Sequence, residues 1–325
     1  MKTTNDDAKL PGQPDIESII VGLSDDDAPI KSAALSELSD LSTQELRLFD
    51  RVWPKLETKR RLEIVSRLVG LAEDNFEFTF DGIFKRGLKD PDERVRIRAI
   101  EGLWENEESS FMETLIDIME KDSSMEAREA AANALGRFGL LAEHDKLPAG
   151  ATPRISQALL GVYRDARNPV DVRRRALEAL SPLSLPEVRE AILEAYRSGD
   201  FRMQVSAVYA MGKNCHPDWL NFLLDEMDSE APELRYEAVM AAGDLGEEPS
   251  VPRLIELTED EDPDVRLAAM QALGKIGGLE AREHLELYME DPSEAVRQVA
   301  EQALSEIEMT EEPTSIPWMK MRRPE

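Results

Sequence analysis

Side chains able to do chemistry are few and scattered in this sequence. It holds three histidines, His144, His216 and His284, and a single cysteine, Cys215. No two of them stand at the spacing with which His and Cys grip zinc, where several ligands must converge on one small ion. No His-Glu-x-x-His, glycine-rich phosphate loop or Gly-x-Ser-x-Gly elbow is present. The acidic runs Asp25-Asp26-Asp27 and Glu259-Asp260-Glu261-Asp262 supply oxygens. They lack the ordered series and glycine turn of a calcium loop. They read instead as helix–helix turns whose charge favours the next helix N-terminus. Cys215 has only His216 beside it to activate the thiol, and reads as a plain loop residue. The expectation is therefore no catalytic residue, no cofactor-binding residue and no metal site.

Composition narrows the classes further. The chain has 325 residues, 39 Lys plus Arg against 67 Asp plus Glu, and a formal net charge of −28. Phosphate backbones repel such a molecule, because affinity for nucleic acid comes from Lys and Arg. No nucleic-acid role is expected; the charge fits a partner that is neutral or basic. One cysteine cannot form an internal disulfide, which points to a reducing compartment, with cytoplasmic the expected location. The opening MKTTNDDAKLPG lacks the apolar core of a signal peptide. No apolar run of the ~18 residues that would span a bilayer occurs, so no membrane role is expected.

What must position any site is a repeat. In DPDVRLAAMQALGKIGG, residues 262–278, an apolar residue precedes an Arg, with Ala three later and Leu four after that. The same skeleton recurs with its second position at 173, 204, 235, 266 and 297, steps of 31. Looser copies stand at Lys31, Arg61, Arg96 and Arg128, making nine repeats. The step from 128 to 173 is longer, and EHDKLPAGAT, 143–152, reads as the insertion by its Pro, Gly and polar content. Within a repeat, Val265, Ala268, Ala269, Ala272, Leu273 and Ile276 fall on one helical face. Gly274, Gly277 and Gly278 read as ending that helix. A first helix precedes each, as in 251–259 and 281–289. A helix pair cannot cover its own apolar face, so the pairs must stack. The expected fold is all-α: a right-handed α-solenoid of about nine helix pairs over 15–308, with a disordered 1–14 and a flexible tail, 309–325.

These residues resemble HEAT repeats, in the subclass of the phycocyanobilin-lyase HEAT-like family. The resemblance implies a ladder in which a turn Asp and a second-helix Arg bond along the array. Asp90, Asp122, Asp260 and Asp291 each lie six residues before Arg96, Arg128, Arg266 and Arg297. Ser198 and Ser229 replace the Asp in repeats six and seven, and Gln204 replaces the Arg in repeat six. The resemblance also implies an alternative role, in attaching a bilin chromophore. Some HEAT-like hydroxylases bind iron through His-Glu pairs; here the order is reversed, Glu143-His144 and Glu283-His284.

In HEAT arrays the second helices line the concave side. Positions opposite the core there include large apolar residues: Ile97, Trp104, Tyr209, Tyr236, Met240, Leu267 and Met270. Exposed apolar stripes mark interaction sites. Charge is uneven as well, since residues 221–315 hold 26 acids and 6 bases. The tail sets Trp318 and Met319 beside Lys320, Arg322 and Arg323, a possible short motif. The functional expectation is a non-catalytic scaffold or adaptor that holds a basic or apolar segment of a protein partner, with no cofactor.

Overall fold

The computed structural model describes residues 15–25 and 28–311. The tail residues Trp318, Met319, Lys320, Arg322 and Arg323, and the N-terminal 1–14, lie outside the described residues. Among the described residues the regular structure is helical throughout, an α-solenoid of eighteen α-helices in nine pairs. The chain divides into two compact units, up to Leu135 and from Gly136.

The first unit holds α1 (Ile16–Gly22), α2 (Ser32–Ser36), α3 (Thr43–Val52), α4 (Thr58–Asp74), α5 (Asp81–Gly87), α6 (Glu93–Gly102) and α7 (Ser109–Lys121). Helix α8 (Met125–Glu143) runs from the first unit into the second. The second unit continues with α9 (Ala151–Arg164), α10 (Val170–Leu180), α11 (Pro186–Tyr196), α12 (Phe201–Asn214), α13 (Leu220–Glu226), α14 (Pro232–Leu245), α15 (Val251–Leu257), α16 (Pro263–Ile276), α17 (Leu279–Glu286) and α18 (Glu294–Glu311). Even-numbered helices are the second, or B, helices. The loop that interrupts the register is 144–150, so Glu143, Ala151 and Thr152 of the expected insertion are helical. The extra length sits partly in α8, 19 residues against 14 in α12, α14 and α16. Helix α18 continues to Glu311, past the expected boundary at 308.

The skeleton explains the core. Val265, Ala268, Ala269, Ala272 and Leu273 of α16 are all at most 2% exposed. Neighbouring B helices lie against each other in a row, α12 on α14, α14 on α16 and α16 on α18. Small residues set their spacing. A Cβ on Gly212 would stand 2.6 Å from Ala241 Cα, and one on Gly274 would stand 2.7 Å from Ala303 Cα. Gly274 therefore lies inside α16 as a contact point and does not end it. Gly277 and Gly278, at φ 73° and 89°, do.

In four of the pairs the turn is built from the Asp column. Asp90 accepts from Asp92 N at 3.0 Å, Asp122 from Ser124 N at 2.8 Å, Asp260 from Asp262 N at 2.8 Å and Asp291 from Ser293 N at 2.7 Å. The Arg of the same repeat closes that turn from the other side. Arg96 donates to Asp90 O (2.8 Å), Arg266 to Asp260 O (2.7 Å) and Arg297 to Asp291 O (2.6 Å). Arg128 donates to Met119 O at 2.7 Å. The link between repeats runs from an Arg to the Asp of the following turn. Arg61 reaches Asp90, Arg96 reaches Asp122 and Arg235 reaches Asp260, each with Nε–Oδ2 of 2.8 Å. All six side chains in these pairs are at most 11% exposed.

Candidate functional site: an acidic groove on the B helices

The 31-residue register sets like positions of successive B helices beside one another. It aligns Val205 of α12, Tyr236 of α14 and Leu267 of α16 in one row, and these three share the wall of a groove of about 750 Å³. Glu233 and Glu237 from α14 line the same groove, with Asp264 from α16 and Asp262 at its cap. Ala268 and Gln271 of α16 complete the lining with Pro232 of α14. No Lys or Arg contributes to the lining.

Local chemistry fixes Asp262 in place. Asp262 caps α16, accepting from Asp264 N at 2.9 Å and Val265 N at 3.3 Å. Pro263 follows at the first helical position, where no N–H is needed. Glu237 is half-buried. Burial pushes its carboxyl above the usual glutamate range, and the charges of Glu178 and Asp244 add to the rise while Lys213 and Arg174 oppose it.

Beside the groove runs a second polar row that the sequence reading missed. Lys213, Asp244 and Lys275 are 31 residues apart, and Asp244 accepts from both lysines, at 2.6 and 2.7 Å. Burial would raise the Asp244 carboxyl, but the two lysines more than offset it and hold it below the usual range. Lys213 also lies 5.6 Å from the Tyr209 ring centroid. A further link joins α10 to α12: Arg174 donates to Ser206 Oγ at 2.8 Å, and Ser206 donates to Glu178 at 2.6 Å.

The expected apolar stripe is only partly assembled. Tyr236 and Leu267 share the groove. Tyr209 and Met240 are half-buried on the same helices, outside the lining. Met270 is 1% exposed and belongs to the core, a correction to its expected place on the open face. Packing of α14 and α18 on the two flanks of α16 covers that position. Ile97, half-buried, and Trp104, 56% exposed, belong to the first unit. Trp104 is also not on a helix: α6 stops at Gly102, and Trp104 lies in the following loop.

The ladder, too, contains residues that the pattern reading passed over. Arg61 and Arg235 are anchors of the inter-repeat link although Arg235 has Ser229 where its own repeat would carry Asp. The useful signal was the Asp of the next repeat, 25 to 29 residues ahead, rather than the one six behind. Where Gln204 replaces Arg, it donates to Glu226 at 3.0 Å, and Tyr196 donates to the same oxygen at 2.5 Å.

The histidines do not converge. His216 lies beside Arg189, and His284 meets Thr258 Oγ1 at 2.8 Å. Among the described residues no group of three or more His, Cys, Asp and Glu is arranged to hold a metal ion. Cys215 caps α12 in a left-handed conformation, φ 50°, and burial raises its thiol above the ordinary value. No helix among the described residues is long and apolar enough to cross a membrane.

The repeat geometry agrees with a model of HEAT repeats, which matches residues 81–170 and 220–305, more than half of the chain. The chain belongs to the HEAT-repeat family. The unmatched stretch between these spans contains repeat six, where Gln204 and Ser198 replace the Arg and Asp of the motif. No curated protein matches the chain. Among solved structures it is similar to YibA of Escherichia coli, 14% identical over 74% of this chain and 96% of that one, with a TM-score of 0.46. Human deoxyhypusine hydroxylase, solved with glycerol, is 20% identical over 90% and 96% of the two chains, TM-score 0.32. Kap95p, solved with RanGDP, is 15% identical over 90% of this chain and 41% of that one, TM-score 0.43. These likenesses concern the fold. The match to HEAT repeats in general does not confirm the bilin-lyase branch.

Proposed function

We propose that this HEAT-repeat protein is a non-catalytic scaffold whose B-helix face in repeats six to eight holds a basic segment of a protein partner. One observation carries the reading. Four carboxylates, Glu233, Glu237, Asp262 and Asp264, line one groove with Tyr236 and Leu267 and without a single Lys or Arg. Carboxylates attract and orient a cationic segment, while an aromatic ring and an aliphatic side chain give its stems apolar surface to cover. The expected setting remains the cytoplasm.

The test is capture from native cell extract with the wild-type chain and with the double variant Glu233→Lys, Asp264→Lys. Both positions are exposed, so the fold should persist. A stoichiometric partner held by the wild type at low salt and absent from the variant supports the groove. A partner held equally by both chains overturns it. The alternative role in bilin attachment rests on the repeat resemblance, and colour retained after mixing the chain with a bilin would favour it.

A further inference from the structure

In the first unit, two successive inter-repeat loops enclose a cavity of about 320 Å³. One loop, 75–80, joins α4 to α5; the other, 103–108, joins α6 to α7. Phe80 and Phe84, 2% and 1% exposed, form the floor. Phe76 and Trp104 line it from the two loops while remaining 79% and 56% exposed. Folding gives no reason to leave Phe76 so open, and it stacks on no other ring among the described residues. Asp81, Glu105 and Glu107 also line the cavity, and no Lys or Arg does.

Both loops are braced. Thr79 N donates to Ser39 Oγ at 2.9 Å, and Thr79 O accepts from Asp40 N at 2.8 Å. In the second loop Asn106 Nδ2 donates to Asp81 at 2.6 Å, and Asn106 Oδ1 accepts from Glu108 N at 3.0 Å. The two loop backbones and the Asp81 carboxylate are thus tied down before any ligand arrives, which lowers the entropy cost of binding.

The geometry points to a pocket for the arginine side chain of a partner polypeptide. The cavity asks for a cation, because its lining is aromatic and acidic. A guanidinium is planar and stacks on Trp or Phe faces, while its edge N–H groups pair with a carboxylate; an ammonium does the first less well and lacks the fork for the second. This inference stands apart from the groove of the second unit and does not rest on it.

The experiment follows the Trp104 indole N–H resonance of the 15N-labelled full chain, assigned with Trp104→Phe. A capped Gly-Arg-Gly peptide is titrated beside its Gly-Cit-Gly isostere, which has the same shape without the charge, and beside Gly-Lys-Gly. The Arg peptide should shift the indole and saturate, with the Lys peptide weaker and the citrulline peptide silent. Phe76→Ala should weaken the Arg peptide by about tenfold, and this exposed change leaves the fold intact. Glu233→Lys in the second unit should not alter it. The assignment is overturned if no peptide shifts the indole, if citrulline or lysine binds as tightly as arginine, or if Phe76→Ala binds like the wild type.

Discussion

Asp260 shows how much one residue carries in this array. It shapes its own turn through Asp262 N, and it receives Arg235 from the preceding repeat through paired contacts of 2.8 Å. Burial alone would raise its carboxyl; the hydrogen bonds from Arg235 and Asp262 N and the nearby positive charge outweigh it and hold the pKa below the ordinary value. Arg235→Leu would leave Asp260 charged at 7% exposure without its partner. Breaking one side of a buried pair costs about 3–5 kcal/mol, and urea unfolding at neutral pH should show a loss of that order. A wild-type midpoint would contradict the role. The pH dependence follows from the sign of the shift. A carboxylate with a depressed folded pKa stabilises the fold above its unfolded value of about 3.9, and that contribution fades as pH falls through the folded value. The stability gap between the wild type and Asp260→Asn should therefore be widest at neutral pH and narrow below about pH 4. A gap independent of pH would show that Asp260 acts through its turn alone.

At the scale of the helix, the sequence displayed the array because its period is written in small and apolar residues that the core demands. Val265, Ala268 and Leu273 recur because α16 has only one face to bury against its own first helix. What a single-helix pattern cannot display is the flank. Met270 looks outward on an isolated wheel, yet the row of B helices covers it. Gly274 looks like a terminator for the same reason, while its real constraint is the Ala303 backbone across the gap. The lysine–aspartate row at 213, 244 and 275 also needed the register between helices to become visible. Gly212 makes this testable. Alanine is the better helix former by about 1 kcal/mol, so local propensity alone predicts that Gly212→Ala stabilises the protein. Its Cβ would stand 2.6 Å from Ala241 Cα, a backbone-linked atom that cannot swing away. Forcing a methyl into a packed contact costs about 1–3 kcal/mol, so the expected net change is a lowered Tm. A raised Tm would show that the helices separate freely at this point.

For the molecule as a whole, the charge of −28 limits partners more than any single residue does, but its distribution decides where they land. The groove concentrates carboxylates on two neighbouring helices, α14 and α16, and Glu237 gives it a handle on pH. Facing Glu237 are Glu178 and Arg174 of α10, Lys213 of α12 and Asp244 of its own helix. Burial is the first cause of its raised pKa, so part of its charge is missing under mildly acidic conditions that leave an ordinary glutamate ionised. A cationic ligand prefers the charged form. Its affinity must rise as pH climbs through the raised pKa, and binding must in turn release protons. Oligolysine titrated by calorimetry should therefore bind more tightly at about pH 7.5 than at about pH 5, although a glutamate with its usual pKa of about 4.3 would change little across that interval. Glu237→Gln should bind more weakly at the upper pH and lose most of the difference between the two. Added salt should weaken the wild type at both, since the groove is open and the screening length is only about 8–10 Å at 0.1–0.15 M. Equal pH dependence in the wild type and Glu237→Gln would place the titrating group elsewhere, and an affinity that ignores salt would mean that Tyr236 and Leu267, rather than the carboxylates, hold the ligand.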